Sequence, residues 1–222
     1  MRRYFQGTLD FSCGMYAVMN ALALIYNLDL SGGRRIFSET VLSLSEEPAL
    51  WKHFLRNETD HYWLVRYMLQ RWCCSRPWKF TMFQPFSDSL LPVEDGLDLH
   101  RAEIFLPESE QDDGPLAAET ARKEALAVWS TAEGWIGEKA AAPPNRTALL
   151  RFHRFYANSF QPVVSHWTTV SHLENDVLHL HDACSEPTAL VALEKNALLP
   201  ADGSRSQLRI VPESLMLLER DS

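Results

Sequence analysis

Residues 4–26 read YFQGTLDFSCGMYAVMNALALIY, and this stretch decides the fold. Large apolar residues recur at positions 15, 18, 19, 22, 25 and 26, which is the spacing of a helix with one buried face. Ser12 stands where an N-cap residue is expected, so the helix is predicted to open at Cys13. A helix this apolar needs other elements to cover it.

The first turn of that helix is a favourable place for a reactive cysteine. The unpaired backbone N–H groups and the positive end of the helix dipole favour the thiolate over the thiol at Cys13. Gly14 carries no side chain, which leaves room for a substrate beside the sulfur. Gln6, seven residues before Cys13, is a candidate side-chain donor to an oxyanion formed there.

A histidine that can act as a base for this thiol occurs far downstream. The pattern predicts a strand over 165–173, a turn over 174–176 and a returning strand over 177–182. If the loop holds three or five residues and is centred on Glu174, antiparallel pairing is expected to place His166 directly opposite Asp182. The hairpin then presents an imidazole beside a carboxylate.

This order of residues resembles that of the papain-like cysteine peptidases. The features are Gln6, then Cys13-Gly14 opening an apolar helix, then a Ser-His-Trp strand and a strand that ends in Asp182. The similarity is greatest to the bacterial branch typified by the peptidase domains of bacteriocin-exporting transporters and their stand-alone relatives. The resemblance implies Cys13 as nucleophile, His166 as general base and acid, Asp182 as its orienting partner and Gln6 as oxyanion donor.

The resemblance also implies a fold class, α+β, with a papain-like two-lobe arrangement. An N-terminal helical lobe is expected to pack on a small antiparallel sheet, with the Cys13 and His166 cleft between them. At 222 residues and 46% apolar content, the chain is long enough for one sizeable core. We expect a single domain over 1–222, with added material at about 85–140 that lines or covers the cleft.

Local signals place the other elements. Helices are predicted within 34–45, from about 45–48 onward, over 61–72 and from Pro115 to about Trp129, with Gly32-Gly33 as a helix breaker. Strands are predicted at 78–83, 147–156, 208–211 and 214–218. The segment 187–199 is left open as helix or loop.

Composition limits the function. The net charge of −8 and the lack of a basic cluster argue against a nucleic-acid or anionic-membrane binder. The sequence contains neither a signal-peptide pattern nor an apolar run long enough to span a membrane. Four irregularly spaced cysteines fit a reducing compartment, so a bacterial cytoplasmic enzyme is expected, with secretion by a signal-less route left open.

Metal binding is a weaker interpretation. A zinc site can be drawn from His172, His179, His181 and Cys184, but histidines on a half-exposed hairpin are more often surface residues. Cys73-Cys74 has no second pair at zinc-finger spacing. The sequence therefore predicts no metal and no cofactor.

The expected activity is that of a peptidase or amidase that cleaves a peptide or isopeptide bond through an acyl-enzyme. A peptide or protein is the expected substrate, and segment 85–140 is a candidate contact for a partner protein. Two alternatives use the same residues. One is an acyltransferase or transglutaminase-like enzyme, and the other is a catalytically inactive module that binds a peptide.

Overall fold

The computed structural model of the protein describes residues 3–4, 12–56, 62–73, 78–86, 115–137, 144–154, 164–183, 190–198 and 208–221. The helices in these ranges are α1 Cys13–Tyr26, α2 Leu30–Ser45, α3 Pro48–Arg56, α4 Tyr62–Cys73, α5 Pro115–Ile136 and α6 Lys195–Leu198. The strands are β1 Phe80–Phe83, β2 Arg146–Arg154, β3 Val164–Glu174, β4 Val177–His181, β5 Ala192–Glu194, β6 Leu208–Ile210 and β7 Met216–Arg220.

The strands in the described ranges form one sheet of order β1-β7-β2-β3-β4-β5, with β6 paired to β2. Each of these pairings is antiparallel. The predicted α+β class is therefore confirmed. None of the helices in the described ranges combines the length and the apolar character that a bilayer crossing requires.

Helix α1 begins at Cys13 as predicted but is buried on nearly all sides. Among its residues only Cys13, Tyr16 and Tyr26 escape full burial. The prediction of a single buried face was wrong because α1 packs on β2 and β3 with one side and on α4 with another. Small residues at 17, 21 and 23 allow this close approach. Ser12 is the N-cap residue, as predicted, but its side chain makes no capping hydrogen bond.

Helix α2 includes the two glycines that were predicted to break it. Asp29 is the N-cap, and its carboxylate accepts a hydrogen bond from the Gly32 N–H at 2.7 Å. Gly33 is needed for a different reason, because a Cβ there would overlap the ring of Tyr4. The glycine pair therefore provides space for the N-terminal segment and does not end the helix.

Helix α5 forms a layer on the opposite face of the sheet from α1. Val128, Trp129 and Ala132 are buried in a cluster with Leu150, Phe152 and other side chains of that sheet face. The helix continues through Gly134 to Ile136, past Trp129, where the strong helical pattern of the sequence stops. This part of segment 85–140 builds core, while residues 87–114 and 138–143 lie outside the described residues.

The hairpin of β3 and β4 differs in detail from the prediction. Glu174 pairs with Val177, so the loop holds two residues, Asn175 and Asp176, both with positive φ. This is the backbone of a tight hairpin turn. The ladder ends at Thr169 and His181, and the strand partner of His166 is Phe152 on β2. His166 and Asp182 are therefore not strand partners.

Two further elements refine the C-terminal part. Segment 187–199 contains the strand β5 and the short helix α6, which apolar patterning alone did not separate. The last strand runs from Met216 to Arg220, preceded by a 3₁₀ turn at Pro212–Ser214. Proline fits the first position of such a turn, which displaces the strand start from residue 214 to residue 216.

Candidate active site

Cys13 lies at the N-terminal end of α1 and is partly exposed to solvent. The backbone N–H of Tyr16 donates the first helical hydrogen bond, to the Ser12 carbonyl at 3.1 Å. The N–H groups of the first turn precede that bond and are directed out of the helix end. The sulfur therefore stands at the positive end of a helix of 14 residues.

His166 and Asp182 meet through their side chains, although they are not paired by backbone. His166 Nε2 lies 2.5 Å from Asp182 Oδ1. The carboxylate is 2% exposed, and its other oxygen, Oδ2, accepts a hydrogen bond from the Leu190 N–H at 3.0 Å. Because both oxygens have donors, the carboxylate is held in one orientation.

The same imidazole is hydrogen-bonded to Cys13. Since Nε2 faces Asp182, the other ring nitrogen, Nδ1, is the one left for the sulfur. Burial by itself lowers the pKa of His166, but hydrogen bonds to Asp182 and Cys13, with the negative charges of both, outweigh burial and raise the pKa to about 10. At neutral pH the ring is therefore an imidazolium between two anionic groups.

Apolar packing restrains the His166 ring. The Phe152 ring lies edge-on, with the ring centroids 5.7 Å apart and the planes at 63°. Phe152 is itself buried. On the other side of β3, Trp167 is buried against Leu149 and α1. A strand held on both faces leaves the imidazole little freedom to turn away from Cys13.

Two buried polar side chains connect the elements that carry the site. Thr169 donates a hydrogen bond from its hydroxyl to the Ala17 carbonyl at 2.7 Å, which joins β3 to α1. Asn20 accepts from the Tyr4 N–H at 2.8 Å and donates to the carbonyls of Tyr4 and His181 at 3.2 and 3.4 Å. His181 directly precedes Asp182, so Asn20 links α1 to the residue before the carboxylate.

These two side chains were not identified as site residues from the sequence. An asparagine within an apolar helix is a sequence signal for a buried side chain that needs hydrogen-bond partners, and Asn20 is fully buried. Thr169 gives no such signal, because threonine is an ordinary strand residue. Its role depends on which helix lies opposite.

The structure brings together three of the four predicted site residues, Cys13, His166 and Asp182. Gln6 lies outside the described residues, so its role stays a prediction. His181 points into a buried environment, where burial, with the charges of Arg3 and His172, lowers its pKa to about 4. Cys184 also lies outside the described residues.

The arrangement is suited to nucleophilic catalysis. A thiolate beside an imidazolium keeps its nucleophilicity at neutral pH, while the ring carries a proton that can be given to a leaving group. The buried carboxylate stabilises the charged ring and fixes its orientation.

No family model, no curated protein and no solved structure matches this chain.

Proposed function

We propose that the protein is a papain-like cysteine hydrolase, a peptidase or amidase that cleaves a peptide or isopeptide bond. The observation that carries the proposal is the position of the His166 ring, which is hydrogen-bonded at once to the buried Asp182 carboxylate and to Cys13 at the start of α1. A structural cysteine needs neither partner, and it gains nothing from a helix N-terminus.

The first half of the proposed reaction forms the acyl-enzyme. The Cys13 thiolate attacks the substrate carbonyl carbon, and the carbonyl oxygen becomes an oxyanion. Backbone N–H groups of the first turn of α1, with Gln6 as the side-chain donor, stabilise that charge. His166 then transfers its proton to the leaving amine, and the C–N bond breaks.

The second half releases the product. A water molecule gives a proton to His166 and attacks the thioester, and the carboxylic acid leaves as the Cys13 sulfur accepts the electron pair. Asp182 stays ionised in both halves and holds the ring with Nδ1 directed at the sulfur. The surroundings of Cys13 define acyl transfer, and the acyl donor is proposed to be a peptide or protein.

The papain-like two-lobe fold is part of this proposal. It is supported by the origin of the residues, since Cys13 comes from a helix packed against α2 and α4, whereas His166 and Asp182 come from the sheet and the segment after β4. Neither Cys13 nor Cys73 forms a disulfide, which fits a reducing compartment such as a bacterial cytoplasm.

The proposal is tested by the rate at which iodoacetamide alkylates Cys13 between pH 5 and 9, read by peptide mass spectrometry. In the wild type we expect fast labelling with a midpoint at least about one unit below the ~8.5 of a free thiol. In His166→Ala we expect the rate at pH 7 to fall by about tenfold or more, because the thiolate loses its counter-ion. Asn196→Ala, at an exposed position of α6, is the control and should label as the wild type does.

Labelling of Cys13 that is no faster than that of Cys73, and unchanged in His166→Ala, would contradict the proposal. A second assay distinguishes hydrolysis from acyl transfer. Incubation with peptide libraries in water alone releases a free amine if the enzyme is a hydrolase, whereas a transferase needs an added amine acceptor.

A further inference from the structure

A second cluster of titratable side chains lies on the β3–β4 hairpin, near its turn. His172 and His179 are direct strand partners, and Glu174 follows His172 by two residues on the same strand face. The imidazole rings of His172 and His179 are stacked, with centroids 4.3 Å apart and planes at 2°. The three side chains are 29%, 36% and 50% exposed for His172, His179 and Glu174, so the cluster is open to solvent.

A β-bulge creates this pairing. The ladder register shifts between Val170 and His172, so Ser171 is the extra residue. Without that shift, the regular ladder that pairs Val170 with Leu180 would place Ser171 opposite His179. The bulge therefore turns His172 and Glu174 to the face on which His179 lies.

The potential ligand atoms converge on one point. The Nε2 atoms of His172 and His179 lie 4.0 and 3.9 Å from the same oxygen, Glu174 Oε2. All three ligand atoms lie within 4.8 Å of one another. In a tetrahedral zinc site with bonds of about 2.1 Å, ligand atoms are about 3.4 Å apart. Small rotamer adjustments of exposed side chains close that difference.

Hydrogen bonding at Ser171 fixes the form of His172 that a metal requires. The Ser171 hydroxyl donates its only proton to the His179 carbonyl at 2.9 Å. Toward His172 Nδ1, 3.0 Å away, the hydroxyl oxygen can therefore only accept. The Nδ1 atom therefore carries a proton, and Nε2, the nitrogen directed toward Glu174 Oε2, is the one left to bind a metal. Metal-ligating histidines commonly donate their other ring N–H in this way.

We propose that His172, Glu174 and His179 form a binding site for a divalent transition-metal ion of the zinc type. Two imidazole nitrogens and one carboxylate oxygen suit this class of metal, with water at the remaining positions. The negative net charge of the chain favours cation binding as well. The ligand set differs from the one drawn from the sequence, because Glu174 takes the place of His181 and Cys184.

This site is separate from the catalytic one and does not depend on the proposed function. His172 stands six positions after His166 on β3, which at ~3.3 Å per residue is roughly 20 Å. A metal there joins β3 to β4 beside the turn, and the far ends of the same two strands carry His166 and lead to Asp182. We therefore assign the metal a structural role, that of bracing the hairpin.

The test is a zinc titration of untagged, metal-free Cys13→Ala protein by calorimetry, with a chelator of known affinity as competitor. Removal of Cys13 excludes binding through the thiolate. We expect one zinc ion per chain, and an affinity at least about 100-fold lower when either His172→Gln or His179→Gln is added. Glu39→Gln, at a partly exposed position in α2, is the control and should bind as the parent does.

A second measurement keeps the result independent of folding defects. Far-ultraviolet circular dichroism of the metal-free variants should equal that of the parent, because both histidines lie on a partly exposed hairpin. Zinc should raise the Tm of the parent and leave that of His179→Gln unchanged. Zinc binding that is absent in Cys13→Ala, or unchanged in both histidine variants, would overturn the proposal.

Discussion

At the scale of single residues, the charge on His166 connects folding to chemistry. The ring lies between Cys13 and Asp182, 13% exposed, and its pKa is raised to about 10, compared with about 6.5 in an unfolded chain. A raised pKa means that the folded protein holds this proton more tightly than the unfolded chain does. The stabilisation is therefore fully present below pH 6.5 and is lost as the pH rises toward 10.

This predicts a pH-dependent difference between the wild type and His166→Gln. Urea unfolding should show that the variant is less stable near pH 6, and about 2 kcal/mol of the difference should disappear by pH 10, the size of a charge-assisted hydrogen bond. The buried His153 and His181 have pKa values lowered to about 4. They titrate below this pH window and cancel in the comparison.

Asp182→Asn is the companion variant, because it keeps the shape of the carboxylate and removes its charge. The free energy of unfolding of Asp182→Asn is compared with that of the double variant that also carries His166→Gln. The pH-dependent part of this difference should be smaller than in the wild-type background, since Asp182 is one of the two groups that raise the pKa of His166. A difference between wild type and His166→Gln that stays constant from pH 6 to pH 10 would show that the ring is not charged in the folded protein.

At the scale of elements, α2 shows how one residue without a side chain fixes the path of another segment. The Tyr4 ring lies on Gly33, and its hydroxyl donates to the Asp29 carbonyl at 2.5 Å. Asp29 is also the cap of α2. The start of α2 therefore fixes the position of Tyr4, which precedes Gln6 by two residues.

Gly33→Ala should destabilise the protein by about 1–3 kcal/mol, the usual cost of overpacking a buried contact. Gly134→Ala is the matched control, since it is also a helical glycine but a Cβ there meets nothing within 4 Å. That change should stabilise by about 0.5–1 kcal/mol through helix propensity. Chemical denaturation of both variants measures the two effects, and equal shifts would disprove the Tyr4 contact.

At the scale of the whole molecule, Asn20 holds three distant parts of the chain together. Its side chain is fully buried and bonds the backbone of Tyr4 and the carbonyl of His181 from the middle of α1. Two of these parts carry Cys13 and Asp182 of the candidate site. Asn20 is therefore a positioning residue for Asp182 in addition to a stabilising one.

Asn20→Ala should lower the free energy of unfolding by about 2–4 kcal/mol, because it leaves a buried N–H group and carbonyls without partners. The pH midpoint of Cys13 alkylation should also rise toward that of a free thiol. Asn196→Ala, at an exposed position in α6, should change neither quantity. Loss of stability with an unchanged alkylation midpoint would show that Asn20 has only a structural role.

Much of the secondary structure could be predicted from the sequence because it depends on residues that are adjacent in the chain. Helix α1, its start at Cys13, the strands around His166 and the α+β class are encoded by the period and capping pattern of adjacent residues. The roles of the four proposed catalytic residues came from the resemblance to papain-like cysteine peptidases, and three of these residues converge in the structure. The sequence also marked the turn at Asn175 and Asp176, although not its length.

Contacts between distant residues decided the rest. Burial of α1 on several sides depends on α4 and the sheet. Glycine is required at position 33 only because the Tyr4 ring packs there. The bulge at Ser171 keeps both Val170 and Leu173 in the core, and that requirement brings His172 opposite His179. A residue's neighbours in sequence set its backbone preference, but the register of one element on another follows from which side chains are buried together.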